Sequence, residues 1–328
     1  MSEKLFAGID IGGTKIAVAL ATANGDFVFR HRFPTRIKLG AAAILDETLD
    51  VIEMAITKTG GNLTAIGIGC PGPLDIRRGL ILSPPNLSDW DEFPIVKAVK
   101  EKFNVPVVLD NDANAAALGE HCFGAGRGFE NLVYITISTG IGGGIIINNR
   151  LIHGVGAGAG EIGHIAVAPD EIKCKCGASG CLEAICSGTS IARRARQRII
   201  AGDRSLMTGL VKNTNQITAQ TVAEAAYRGD SVANEIWSET IGFLAVGINN
   251  IAVTLAPEAF IIGGGVSLAG EEMLFKPLRK AVNERVKMLP GEQIKILPAE
   301  LKSESGIYGT LALAFAALDE DQQVKRWT

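Results

Sequence analysis

One theme occurs twice along the 328 residues: an apolar strand-like run, a glycine-rich turn, then a second apolar run. It reads IDIGGTKIAV at 9–18 and ITISTGIGGGIII at 135–147. Each copy predicts two β-strands joined too tightly for large side chains at the turn. A pattern repeated at this separation predicts two related α/β halves, with a ligand in the cleft between them. The length fits two domains with ample cores.

The runs around this theme continue the α/β pattern. KLFAGIDI and KIAVALAT are followed by Asn24-Gly25, a strong hairpin signal, and by the strand DFVFRHRF. Ile44, Leu45, Leu49, Ile52 and Ala55 share one face of a helix expected from Gly40 to Lys58. The strand TAIGIGC, a helix near 94–103 and the short apolar strand VPVVLDND come next. ANAAALGEHC then reads as a helix with Asp112 at or near its N-terminus. Beyond a polar hairpin at Asn148-Asn149, helices are expected near 187–201, 218–228, 231–255 and 270–288, and from Gly306 to about Leu318. Strands are expected in EAFIIGGGVS and IKILPA, and DEDQQVKRWT reads as a loose tail.

A formal charge of −3 offers no bulk attraction to nucleic acid or anionic membrane. No h-region opens the chain, and no uninterrupted apolar run reaches the roughly 18 residues of a bilayer span, so a cytoplasmic location is expected. There, clustered cysteines point to metal or catalysis rather than to disulfides. Cys174, Cys176 and Cys181 crowd into CKCGASGC, with His164 ten residues before the first. Three thiolates and an imidazole make a full tetrahedral set for a structural zinc, leaving no position for a reactive water. A redox pair and chance cysteines are the alternatives. Gly177 and Gly180 supply tight turns, and an ion here would pin Glu161 and Glu183, which flank the ligands. Cys70, Cys122 and Cys186 read as small core residues.

The loops DIGGTK and STGIGGG present backbone N–H groups in the manner of phosphate cradles. Asp10 could hold Mg²⁺ through water, and Thr14 and Thr139 offer hydroxyls. GIGCPG at 67–72 and GAGEIG at 158–163 match a dinucleotide fingerprint literally. The first has no helix opening after it and the second no strand before it, so the Rossmann mechanism fails for both. Asp110 and Asp112 end a buried strand; a carboxylate at a helix N-terminus is held ionised and can accept a hydroxyl proton. Plain N-capping by Asp112 is the bland alternative. ARRARQR at 192–198 reads as a solvated basic face, and His31, His121 and His153 as surface or hydrogen-bonded residues.

GIDIGGTK, CPGPLD, LDNDANAAALGE, ISTGIGGGIIINNRLIHG, GEIGHI, CKCGASGCLE and FIIGGGVS, in this order and spacing, resemble the ROK family of sugar kinases and sugar-responsive repressors, and most of all its bacterial glucokinases. The resemblance spans essentially the whole chain. It implies a two-domain actin-like ATPase (ribonuclease H-like) α/β fold, divided as 1–113 plus 307–328 and 114–306, with a zinc loop at 164–181. It implies phosphorylation of a hexose 6-hydroxyl by ATP with Mg²⁺, Asp112 being the base. Gly72, Asn86, Asn111, Asp112, Glu161, His164 and Glu183 resemble the sugar ligands. Asp10, Gly12, Gly13, Thr14 and Lys15 resemble the first phosphate loop, Thr139, Gly140, Gly142 and Gly143 the second, and Gly264 and Gly265 the adenosine-side loop. A homodimer or homotetramer is the family expectation. A repressor would need a DNA-reading domain, for which the residues before the first strand leave no room. Glucose is the expected sugar; mannose, fructose, N-acetylmannosamine and N-acetylglucosamine kinases share most of these positions, and a non-catalytic sugar sensor is the rival class.

Overall fold

The computed structural model of the chain describes residues 3–84, 87, 89–288 and 293–318. The chain divides into two compact units, one of Met1–Asn131, Gly144–Gly160 and Glu300–Thr328, the other of Leu132–Gly143 and Glu161–Ala299.

The first unit is built on β1 (Lys4–Ile11), β2 (Lys15–Thr22), β3 (Phe27–Pro34), β4 (Asn62–Cys70) and β7 (Val107–Asn111), in the order β3-β2-β1-β4-β7. The first three strands form an antiparallel meander; β1, β4 and β7 run parallel. Gly25, at φ 85°, turns the β2–β3 hairpin as its Asn-Gly signal predicts. Between β4 and β7 lie a small hairpin, β5 (Leu74–Asp75) and β6 (Leu80–Ile81), and the helix α2 (Ile95–Phe103). One sheet face is covered by α1 (Gly40–Thr59), whose Ile44, Leu45, Leu49 and Ile52 share a core with Leu5, Ile9, Ile66 and Ile68.

The other face carries α3 (Asp112–Phe123) and α10 (Ser305–Ala316). These two helices approach backbone to backbone. A Cβ at Gly309 would collide with the carbonyl of Ala115, and one at Gly67 on β4 would collide with the carbonyl of Thr310. Glycine is required at both positions for lack of space. Glu120 of α3, fully buried, accepts from the N–H groups of Ala125, Glu300 and Leu301 and from Ser305 Oγ. It thereby ties the entry of α10 to α3.

The second sheet repeats the first in its order, β10-β9-β8-β11-β12. Its strands are β8 (Leu132–Ile137), β9 (Ile141–Ile147), β10 (Arg150–Leu151), β11 (Ala259–Gly263) and β12 (Lys295–Pro298), with β9 passing from one unit into the other. Asn148 and Asn149, at φ 51° and 60°, make the β9–β10 turn. Between β10 and β11 the second unit inserts α4 (Glu183–Cys186), α5 (Gly188–Ile200), α6 (Met207–Leu210), α7 (Ala219–Tyr227) and α8 (Ser231–Leu255). At 25 residues α8 is long and apolar enough to cross a membrane by length and composition, yet 56% of its most apolar window is buried.

The structure departs from the sequence expectation in two places. The helix expected over 270–288 is α9 (Lys276–Arg285) preceded by a π-helical turn, Glu271–Phe275. Pro277 has no N–H to continue an α-helical ladder backward, and the wider turn absorbs the break. The run at 192–198 is not a free basic face. Arg193 donates to Ala184 O at 2.9 Å, Arg194 to Ile236 O and Glu239, Arg196 to Ile217 O at 3.0 Å, and Arg198 to Asp203 and Glu235. These guanidinium groups staple α5 to its helical neighbours. Asp112 opens α3 as expected; the N-cap is Asn111 rather than Asp112, its side chain accepting from Ala113 N at 2.9 Å. The tail DEDQQVKRWT lies outside the described residues.

Candidate active site

In the first unit the DIGGTK loop is a tight turn joining β1 to β2. Gly12 N donates to Lys15 O at 3.0 Å. Thr35 pins the loop from outside: its hydroxyl donates to Gly12 O at 2.6 Å and its N–H to Thr14 O at 3.0 Å. Thr35 carries no sequence signal of its own. Gly12 and Gly13 are half-buried, and Thr14 and Lys15 are exposed. Asp10, at the end of β1, is half-buried, and its carboxyl is raised to about 6. Burial is the main cause and Asp112 the second; Lys15 and Arg32 oppose both. The carboxylate rests on the first turn of α10, where a Cβ at Gly306 would stand 2.7 Å from Asp10 Oδ2.

The end of β7 and the start of α3 carry three polar residues in a row. Asp110 is 2% exposed and saturated with donors. Its Oδ1 accepts from Asn111 N at 2.7 Å and Asn114 Nδ2 at 2.9 Å, and its Oδ2 from His153 Nε2 at 2.6 Å. Asp112, the first residue of α3, is exposed, and its Oδ1 accepts from Ala113 N at 2.8 Å. Gly72 lies beside this turn; a Cβ there would sit 3.5 Å from Asn111 Nδ2. Asn86 falls outside the described residues. The first unit thus brings together Asp10, Gly72, Asn111 and Asp112. His153, read as a bland hydrogen-bonded residue, belongs to this cluster, and only the folded chain puts it beside Asp110.

In the second unit the STGIGGG loop joins β8 to β9. Glu183, the first residue of α4, accepts the N–H of Ile141 through Oε2 at 2.7 Å and so sits against the loop. Thr139 is exposed, Gly140 and Gly142 half-buried and Gly143 buried. A Cβ at Gly143 would collide with Ile162, and one at Gly163 with Ile141 O. The segment carrying His164 is thereby pressed onto the same loop. Gly264, at φ 83°, abuts the backbone of Ile137 at the end of β8, and Gly265 is exposed next to it.

His164, Cys174, Cys176 and Cys181 converge, their ligand atoms all within 4.8 Å of one another. Gly177 and Gly180, at φ 95° and 69°, turn the chain around this point. Cys174 N donates to Ala178 O at 2.9 Å, and a bridge between Ala166 and Cys181 closes the other side. The sulfurs of Cys176 and Cys181 are 3.8 Å apart, and His164 Nδ1 is 3.8 Å from Cys174 Sγ. A tetrahedral ion bound at a zinc–sulfur distance of 2.3 Å sets its sulfurs about 3.8 Å apart, the separation of Cys176 and Cys181, so this donor set suits a zinc ion. Nδ1 is the ring nitrogen facing the thiols; Nε2 faces Glu161 Oε2, 3.9 Å away. Cys70, Cys122 and Cys186 are buried, as expected of core residues.

These two clusters, on two sheets of one strand order, can be set beside known proteins. The family model described as ROK family matches residues 6–317. The chain belongs to the ROK family. This ROK protein is 36% identical over 315 residues to a glucokinase of Halalkalibacterium halodurans, covering 94% of each chain. The crystal structure of a ROK family glucokinase from Streptomyces griseus, in complex with glucose and AMPPNP, matches it with a TM-score of 0.77 and 37% identity, over 95% of this chain and 99% of that one. A xylose repressor of Caldicellulosiruptor bescii is 32% identical over 314 residues, 94% of this chain and 77% of that protein. Likeness to glucokinases at this level over nearly the whole length makes the protein a sugar kinase with the actin-like ATPase fold.

Proposed function

We propose that this ROK kinase phosphorylates glucose at its 6-hydroxyl with ATP, Asp112 serving as general base. The observation that carries the reading is the standing of Asp112: an exposed carboxylate on the first turn of α3, beside the Asn111 cap and Gly72. The α3 dipole favours the anion at rest. A hydroxyl within hydrogen-bond reach would pass its proton to that carboxylate as the oxygen attacks phosphorus, a contribution of about 10²–10⁴ in rate. The glucokinase relatives favour glucose among the hexoses, and the Streptomyces griseus protein, which holds glucose with an ATP analogue, favours ATP as donor.

The remaining groups orient the reactants. Gly72, Asn86, Asn111, Glu161, His164 and Glu183 would read sugar hydroxyls. The loops at Gly12–Lys15 and Thr139–Gly143 would hold phosphate oxygens, with Gly264 and Gly265 on the adenosine side. Asp10 would hold Mg²⁺ through water; a carboxyl raised to about 6 by burial and by a second carboxylate suits a nearby cation. When bound, that ion neutralises phosphate charge. His164, Cys174, Cys176 and Cys181 would hold a zinc with no open position, which keeps Glu161 and Glu183 in place.

A coupled ADP-release assay with ATP and Mg²⁺ across a panel of hexoses tests this reading. Glucose is expected to give the highest kcat/KM, and Asp112→Asn to keep sugar binding while kcat falls about 100-fold or more. Another hexose ranking first would reassign the substrate. Binding of sugar with no turnover in the unaltered chain would favour the non-catalytic sugar sensor.

A further inference from the structure

We propose that His153 and Asp110 form a positioning pair that sets both the orientation and the acidity of Asp112. The inference rests on the reading of Asp112 as the base.

The geometry is a chain of short bonds. His153 Nε2 donates to Asp110 Oδ2 at 2.6 Å. The other oxygen, Oδ1, accepts from the N–H of Asn111 and from the Asn114 amide one turn into α3. Asp110 therefore clamps the strand-to-helix turn from both sides. That turn presents the Asn111 side chain as the cap of α3 and Asp112 as its first residue. His153 reaches the clamp from the segment after β10, which otherwise shares no chain continuity with the turn.

Charge adds a second effect. A buried carboxylate two residues before a catalytic carboxylate would raise the latter by like-charge repulsion. Asp110 is such a carboxylate, with its side chain only 3% exposed. A protonated His153 cancels that charge at its source. The pair supports this itself: hydrogen bonding to Asp110 is the largest influence on His153 and raises it above the ordinary histidine value, against the opposing effect of burial. Asp110 is the carboxylate bonded to His153, and Asp10, from β1, is a further carboxylate whose charge acts on the same site, since Asp112 and Asp10 repel each other. The groove of about 1030 Å³ that both residues line also carries Cys122 on α3, Lys97, Lys100 and Glu101 on α2, and Arg77 and Arg78 between β5 and β6.

A merely structural histidine would leave the pH profile of the reaction where it is. The experiment measures kcat and sugar Kd against pH for the unaltered protein and for His153→Gln, His153→Phe and Asp112→Asn. Melting temperatures establish that each variant is folded. His153→Gln keeps a neutral donor to Asp110 and His153→Phe keeps none. The acid limb of kcat is expected to move to higher pH by about half a unit or more in both. At pH 7.5 kcat should fall about tenfold in the Phe variant and less in the Gln variant, a larger change than in sugar Kd, which Asn111 shares with several other groups. An inactive Asp112→Asn with an unmoved acid limb in both folded His153 variants overturns this proposal alone. An Asp112→Asn variant that turns over at the normal rate overturns the base reading and this proposal with it. If only one His153 variant folds, its acid limb decides.

Discussion

Asp10 shows how a position proposed to serve the reaction can be costly to the resting fold. Its carboxyl, raised to about 6, holds a proton between about pH 4 and 6 that the unfolded chain has released. Stability therefore falls as pH rises through that window, and the deficit, up to about 3 kcal/mol, persists at pH 7. Asp10→Asn should raise the denaturant midpoint at pH 7, with the gain shrinking toward pH 4, while kinase activity drops. An unchanged or lowered midpoint at pH 7 would contradict this account. Asp112, the neighbouring charge, is one of the causes of the raised value. Asp10 and Asp112 are 102 positions apart in sequence but meet because β1, β4 and β7 are consecutive parallel strands whose C-terminal ends lie side by side. Their residue types were legible in the sequence; the repulsion between them was not, since it depends on which strands are neighbours.

At the scale of elements, the metal loop and the β8–β9 loop form one block. Glu183 bonds the loop through Ile141 N, and it stands two residues after the candidate ligand Cys181. Loss of an ion at the four candidate ligands should therefore reach the loop as well as the side chains proposed to read the sugar. Freshly purified protein should carry about one zinc per chain, and Cys176→Ser should lose it. Chelation should raise the sugar KM and weaken nucleotide binding together. Full activity in demonstrably zinc-free protein would remove the ion from this account. Other elements were harder to foresee. The arginines of α5 look like a solvated stripe by composition, but each fork finds a carbonyl or carboxylate on a neighbouring segment, contacts set by helix packing. Glu120, an acid in the middle of α3, is given no role by its neighbours in sequence; Glu300, Leu301 and Ser305 bring donors to it from a distant stretch of chain.

For the whole molecule, the proposed role of Asp112 predicts that binding and turnover are separable. Hexose at about 100 times its Kd should stabilise the chain by about 2.7 kcal/mol, visible as a rise in Tm. Asp112→Asn should show that rise although it does not turn over; a variant that neither melts higher with sugar nor turns over would mean that Asp112 is needed to bind. The repeated strand order of the two sheets accounts for the doubled sequence theme, since each copy encodes the first hairpin of one sheet. What the sequence by itself determined is local: apolar period, Asn-Gly and Asn-Asn turns, glycines at phosphate-like loops, and four metal-ligand side chains within a short span. Such signals are carried by residues close in the chain, so their chemistry survives without coordinates. Only the tertiary structure decided that Asn111 caps α3, that His153 meets Asp110, that Thr35 pins the first loop and that Gly309 must be glycine. Each of these depends on a partner brought from a distant stretch of chain or on the backbone angles at a junction, and neither quantity is written in any local window of residues.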